Sequence, residues 1–306
     1  MKISVCTLAH GRDEHLCNLV RGLQMANEQP HELVIAVMQD REYDLPATRF
    51  PVRQIVMGST DTPLAHARNV AAETAKGELL VFQDVDCIPH PDLLGDYRAA
   101  CDATSGVFMG EVGYLPKGAV EQRLDFDAFD RVAVKHSERA GPPEAAVGPC
   151  NDYRCFWSLN FALRKEDFAL VGGFDEHYVG YGGEDTDFGR MIAENDIPIW
   201  WVRGAKSYHQ YHSHHMPPVH HLDSVLANAM VFQRKWGRPT MEHWLRAFTL
   251  MGLIERAGDG FRKLREPNED DLALTRQQAD QPFASSAAIL DFLEDQAASE
   301  TKSAAA

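Results

Sequence analysis

The stretch GELLVFQDVDCIPHPDL, residues 77–93, decides the fold. Leu79–Phe82 is a short apolar run, as expected of a strand covered on both faces. It leads directly into Asp84-Val85-Asp86, and Pro89 and Pro91 stiffen the chain beyond. Two carboxylates two residues apart at a strand end can be brought together by a tight turn. Hard oxygen ligands of that kind suit Mg²⁺ or Mn²⁺. Alone, paired Asp in a loop is ordinary turn chemistry.

Upstream, Ile3–Leu8, Leu33–Met38 and Val52–Met57 are further β-rich runs. Glu14–Asn27 carries Leu16, Leu19, Val20 and Leu23 at helical spacing, and Leu64–Lys76 is a second helix closed by Gly77. Such alternation predicts an α/β fold, with a mostly parallel sheet flanked by helices. Ligands of such sheets sit beyond the carboxyl ends of the strands. Thr7–Arg12, Met38–Arg41 and Gln83–Cys87 should therefore share one crevice.

Downstream the pattern is less regular. Strands are expected at Val107–Val112, Leu159–Leu163, Ile197–Val202 and Ser207–His212. Val120–Arg139 reads as a long charged helix, Ala140–Tyr153 as a mobile loop, and Lys165–Val171 and Glu184–Glu194 as helices. Leu222–Trp236 and Met241–Ala257 predict a helical C-terminal region. The organisation expected is an α/β domain over 1–220, divided near residue 115 into two halves. A helical extension over 221–266 and an acidic, partly helical or disordered tail over 267–306 follow.

A net charge of −15 argues against a nucleic-acid partner, which is held by clustered Lys and Arg. The apolar run at the N-terminus is too short for a secretion signal, and six scattered cysteines read as reduced thiols, so a cytoplasmic protein is expected. Met241–Ala257 would support at most a peripheral membrane contact.

A second constellation spans Gly172-Gly173-Phe174-Asp175-Glu176 and Gly180-Tyr181-Gly182-Gly183-Glu184-Asp185-Thr186-Asp187. The plain reading is a flexible connection ending in an acidic helix start. The sharper one is that Glu184 and Asp185 face the crevice, where one carboxylate accepts a proton from an attacking hydroxyl.

TLAHGR, ARNVAAETAKGELLVFQDVD and GGFDE…GYGGEDTDFGRM are together similar to the family 2 glycosyltransferases, whose fold is named GT-A. The later segment resembles galactosyltransferases and polypeptide N-acetylgalactosaminyltransferases, which read close to W-G-G-E-D or W-G-G-E-N. The likeness covers roughly residues 2–236, and the family's Trp is Tyr181 here.

The resemblance implies an inverting, metal-dependent enzyme that moves a sugar from a UDP-sugar to a saccharide, glycolipid or small-molecule acceptor. It puts Thr7, Ala9 and Arg12 around the nucleobase and ribose, and Asp40 on the base. Arg68 would approach the diphosphate and Asp84 the ribose or donor sugar. Asp86 would bind the metal together with His209 or His212, and an imidazole ligand favours Mn²⁺ over Mg²⁺. Asp185 would be the base and Glu184 would hold the acceptor. The rival readings are a retaining transferase on the same fold, a nucleotidyltransferase, and a non-catalytic sugar- or metal-binding module.

Overall fold

The computed structural model describes residues 1–58, 63–121 and 123–304, with the backbone alone over 300–304. It divides into two compact units, Met1–Val179 with Glu184–Tyr211, and Gly180–Gly183 with His212–Ala306.

The first unit begins β1 (Ile3–Ala9), α1 (Asp13–Gln24), β2 (Glu32–Val37), β3 (Val52–Val56), α2 (Leu64–Thr74) and β4 (Leu79–Gln83). Next come β5 (Cys87–Pro89), α3 (Leu93–Ala103), β6 (Val107–Met109), β7 (Val112–Tyr114), α4 (Phe126–Val132), β8 (Val134–Lys135) and β9 (Val147–Pro149). It ends with β10 (Asn160–Arg164), α5 (Lys165–Val171), α6 (Glu184–Glu194), β11 (Ile199–Val202) and β12 (Ser207–His209). The main sheet has eight strands in the order β3-β2-β1-β4-β10-β6-β11-β9. Strands β1 to β4 pair in parallel, whereas β10 lies antiparallel to both β4 and β6. β4 and β6 therefore run the same way, and β11 runs with β6. The carboxyl ends of all these parallel strands lie along one edge.

Alternation along the strands builds two cores. Val5, Leu33, Ile35, Leu79 and Val81 face one way, onto Leu16, Leu19 and Leu23 of α1 and Leu94 and Tyr97 of α3. Cys6, Val34, Leu80 and Phe82 face the other, onto the alanines of α2, Phe168 of α5 and Phe188 of α6. The α2 helix ends at Thr74, short of the expected Gly77. Gly77 answers a different need: a Cβ there would sit 2.6 Å from the Ser4 nitrogen, against β1.

A smaller sheet in the order β5-β12-β7-β8 projects from the same unit. The long helix expected over Val120–Arg139 is only the short α4, because the Asp125 carboxylate caps its start and β8 then pairs with β7. The expected mobile loop over Ala140–Tyr153 contains β9, an edge strand on β11.

The second unit contains α7 (Leu222–Trp236), α8 (Glu242–Leu250), β13 (Ile254–Ala257), β14 (Gly260–Lys263), α9 (Glu269–Thr275) and α10 (Ser286–Ala304). Val225, Leu245, Phe248 and Ile254 form its core. The helix expected over Met241–Ala257 stops at Leu250, since Gly252 turns left-handed at φ 67° and the Leu253 N–H bonds the Phe248 carbonyl. β13 and β14 then form a hairpin. Within this unit the Tyr181 ring stacks on His221 and Trp244, with centroids at 5.0 and 5.8 Å. Among the described residues no helix is long and apolar enough to cross a membrane.

Candidate active site

At the end of β4 the Asp84 N–H bonds the Leu159 carbonyl, and the Cys87 N–H bonds the Asp84 carbonyl, closing a turn around Val85. The chain then enters β5, which pairs antiparallel with β12 so that His209 lies opposite Cys87. The Gln210 N–H reaches the Asp86 carbonyl at 2.7 Å. This register brings two residues far apart in sequence together: His209 Nε2 is 3.5 Å from Asp86 Oδ1. The imidazole stacks on Tyr114 of the neighbouring β7, with ring centroids 4.7 Å apart.

A buried polar network holds the small sheet against the large one. Asn160 of β10 accepts from the Tyr97 hydroxyl and donates to the Glu111 and Ala205 carbonyls. Gln83 of β4 bonds Asn160 and accepts from Ser207 of β12. Full satisfaction of such a network makes its geometry stiff.

The other Asp86 oxygen takes Arg12 Nη1 at 3.0 Å. Arg12 precedes α1 in the left-handed region, φ 57°, and this aims its side chain across to β4. Asn18 and His15 of α1 bond the Gln210 side chain, tying the same helix to β12.

A second bridge lies beside the first. Arg68 of α2 is buried, with Nη1 3.1 Å from Glu184 Oε1 and Nη2 3.5 Å from Asp84 Oδ1. Burial alone would lower its pKa, but Asp84, Glu184 and Asp185 outweigh that and raise it. The adjacent Asn69 bonds both the N–H and the carbonyl of Phe174 and the Glu176 carboxylate. Gly173 is needed there, at φ 76°, because a Cβ would lie 2.7 Å from Asn69 Oδ1. The GGFDE segment is thus held onto α2 by Asn69, and is not the flexible connection that one reading of the sequence expects.

Three acidic residues open α6 with different partners. Glu184 is buried on Arg68. Asp187 is fully buried and accepts from the Tyr178 hydroxyl at 3.1 Å. Asp185 is half-buried, and its Oδ1 accepts from the Thr186 N–H of its own turn at 2.7 Å. The helix start favours the ionised form, as the sequence suggests. Burial first and Glu184 second override it, and push the Asp185 pKa from 3.8 up to about 7. Asp84 is pushed up to about 6, by burial and then by Asp86 and Glu184 against Arg68.

The carboxylates of Asp84, Asp86 and Glu184 are ion-paired with two guanidinium groups, Arg12 and Arg68, and Asp185 acts on the second of them. The excess of negative charge suits a divalent cation. A carboxylate oxygen and an imidazole nitrogen 3.5 Å apart are also close to the spacing of about 3 Å that neighbouring ligands adopt around one small cation. The residues present fit a metal. The expected ligand His212 belongs to the second unit, at the start of its longer segment.

The residues expected around the nucleotide share this carboxyl edge. Thr7 is fully buried in β1, and its Oγ1 has no hydrogen-bond partner among the described residues. Ala9 ends β1, and its carbonyl accepts from the Met38 N–H. Asp40 is exposed in the turn beyond β2. Asn18, Asn69, Tyr114 and Gln210, absent from the expected set, are what hold it in place. They carry no sequence signal of their own, because each acts through a partner distant in the chain.

Comparison with known proteins finds glycosyltransferases. A family model described as the N-terminal domain of galactosyltransferase matches residues 144–215. Validoxylamine A glucosyltransferase of Streptomyces hygroscopicus subsp. limoneus is 26% identical over 257 residues, 76% of this chain and 56% of that protein. The enzyme of the same name from subsp. jinggangensis is 28% identical over 61% of this chain and 48% of its own. The chain therefore spans about half the length of these relatives. Among solved structures, S. aureus TarS (residues 1–349) superposes with a TM-score of 0.50 at 17% identity, over 76% of this chain and 66% of that one. GalNAc-T7, crystallised with UDP, GalNAc and Mn²⁺, gives 0.51 at 16% identity, over 69% and 43%. The chain thus shares the GT-A fold of these structures, and its sequence is similar to glycosyltransferases.

Proposed function

We propose that this chain, a GT-A protein of the family 2-like kind, is an inverting, metal-dependent glycosyltransferase. It would move a hexose or N-acetylhexosamine from a UDP-sugar to the hydroxyl of a saccharide, glycolipid or other small acceptor. The observation that carries the reading is the juxtaposition of Asp86–His209 with Asp84–Arg68–Glu184, beside a half-buried Asp185, at the carboxyl edge of the sheet. Two sequence relatives are glucosyltransferases, and one structural relative was crystallised with UDP, GalNAc and Mn²⁺.

Asp86 and His209 would hold the cation, with His212 as the further candidate. A bound Mn²⁺ or Mg²⁺ supplies charge neutralisation for the departing diphosphate. Arg12 and Arg68 add positive charge along the same path, and Glu184 keeps Arg68 in place. The resemblance assigns Glu184 to the acceptor, but its carboxylate is committed to Arg68, so positioning is the role we propose. Thr7, Ala9 and Asp40 would border the nucleoside.

Asp185 would take the acceptor proton. The acceptor oxygen forms its bond to the anomeric carbon as the bond from that carbon to the phosphate oxygen breaks, and UDP departs with the electron pair. Attack from the face opposite the diphosphate inverts the configuration. Asp187, tied to Tyr178, and Glu184, tied to Arg68, are less available for this step.

The test is a screen of UDP- and GDP-sugars against a panel of acceptor glycosides, reading diphosphate release and the anomeric configuration of the product by NMR. We expect release from a UDP-sugar that depends on added metal, and an inverted product. A retained configuration would transfer the assignment to the retaining alternative. Absence of release from every donor would leave a binding module as the better reading.

A further inference from the structure

Arg139 is 5% exposed, yet no carboxylate among the described residues is ion-paired with it. Its Nη1 has no hydrogen-bond partner among the described residues, and its Nη2 reaches only the Gly110 carbonyl, at 3.4 Å. The guanidinium lies 5.2 Å from the ring centres of both Trp157 and Trp201. Aromatic faces attract a cation but do not replace a counter-ion, and a buried charge without one is costly.

Arg139 lines a cavity of about 150 Å³ at the carboxyl ends of β6 and β11, with Lys135, Lys206, Glu111 and Trp201 among its walls. Glu111 accepts the Gly204 N–H through Oε1, and Lys206 is paired with Asp130. Lys135 is exposed, and its Nζ meets the Gly141 carbonyl at 3.1 Å. Among the described residues, the cavity thus combines a buried guanidinium that lacks an ion-pair partner with a second cation that has no carboxylate partner. Fork-shaped donors of this type pair with planar or tetrahedral oxyanions.

We infer that this cavity is an oxyanion site, taking a phosphate, sulfate or carboxylate group against Arg139 with Lys135 beside it. The group is either a free anion or the anionic substituent of a saccharide, and the open side of the cavity carries the exposed Lys135. The inference stands on Arg139 and its cavity, and it is separable from the transfer reaction.

The test is titration of the full chain in metal-free buffer, followed by tryptophan fluorescence and calorimetry. The probes are sulfate, inorganic phosphate, glucuronate and glucose 6-phosphate, with glucose and matched sodium chloride as controls. We expect saturable binding of at least one oxyanion and none of glucose. Asp86→Asn should leave the affinity unchanged, which separates this site from a diphosphate site. Arg139→Met, which removes the buried charge but keeps an apolar side chain, should weaken binding about tenfold or more, as loss of charge-assisted hydrogen bonds does. Should that variant fail to fold, Lys135→Gln at its exposed position still tests the site, with an expected loss of about threefold. Tighter binding of the sugar-borne anions identifies a saccharide substituent as the ligand; equal affinity identifies the free anion. Absence of saturable binding beyond the chloride control, or affinity unchanged in the substituted proteins, overturns the inference.

Discussion

Asp185→Asn should move catalysis and stability in opposite directions. Asn keeps the size of the side chain and the oxygen that accepts from Thr186, but it cannot take up a proton. Burial and Glu184 raise the Asp185 pKa from 3.8 to about 7. An acid raised in this way binds its proton more tightly in the folded chain than in the unfolded one. The folded state therefore loses stability as pH climbs from about 4 through 7. A rise of that size corresponds to a ceiling of about 4 kcal/mol. Asp185 is partly exposed and Arg68 opposes the shift, so screening brings the expected gain from the amide down to about 1–2 kcal/mol at pH 8. That gain should shrink to well under about 1 kcal/mol near pH 4, where the folded side chain holds its proton and the unfolded one is about half ionised. Urea denaturation of the ligand-free protein at the two pH values reads this directly. Turnover of the same variant should fall by about 10²–10⁴, the usual loss for a general base, while UDP affinity stays level. Near-normal turnover, a defect mainly in UDP binding, or a variant less stable than the parent at pH 8 would refute the reasoning.

Chelation should abolish turnover, and Mn²⁺ should restore it better than Ca²⁺, which prefers a larger all-oxygen shell; full activity in excess EDTA counts against a metal. Asp86→Asn should weaken metal and UDP binding together, read by calorimetry. The acid limb of kcat/KM should lie near pH 7, with activity lost as pH falls, because Asp185 must be ionised to act; a flat profile from pH 5 to 8 contradicts this. Arg68→Met leaves Glu184 and Asp84 without their buried cation and should cost about 3–5 kcal/mol at neutral pH, measured by denaturant midpoint. Gly77→Ala should also destabilise, by about 1–3 kcal/mol, because its Cβ would meet the Ser4 backbone.

Much of this molecule was legible in its residue order. The apolar runs at Ile3–Leu8 and Leu79–Phe82, and the helical spacing of Leu16, Leu19 and Leu23, report burial locally, and burial is what a strand or helix face consists of. Asp84, Asp86, Glu184 and Asp185 were legible for the same reason: acidic residues at a strand end and a helix start are local patterns. The β13–β14 hairpin was less so, because Gly252 sits in an apolar run that continues the helical spacing. Only the tertiary structure decided which carboxylate is bound to what. His209 meets Asp86 because β12 pairs with β5 in one register, and a slip of one residue would turn the imidazole to the other face. Arg68 claims Glu184, and Tyr178 claims Asp187, across distances along the chain that no spacing rule covers. The electrostatics of Asp185 belong to the same class. Its helix position favours charge, yet its pKa rises, because burial and the field of a neighbouring carboxylate are sums over three-dimensional surroundings. Arg139 shows the limit most plainly. In the sequence it is one more charged residue in a polar stretch, and only folding places it beside two tryptophans, lining a cavity with no counter-ion among the described residues.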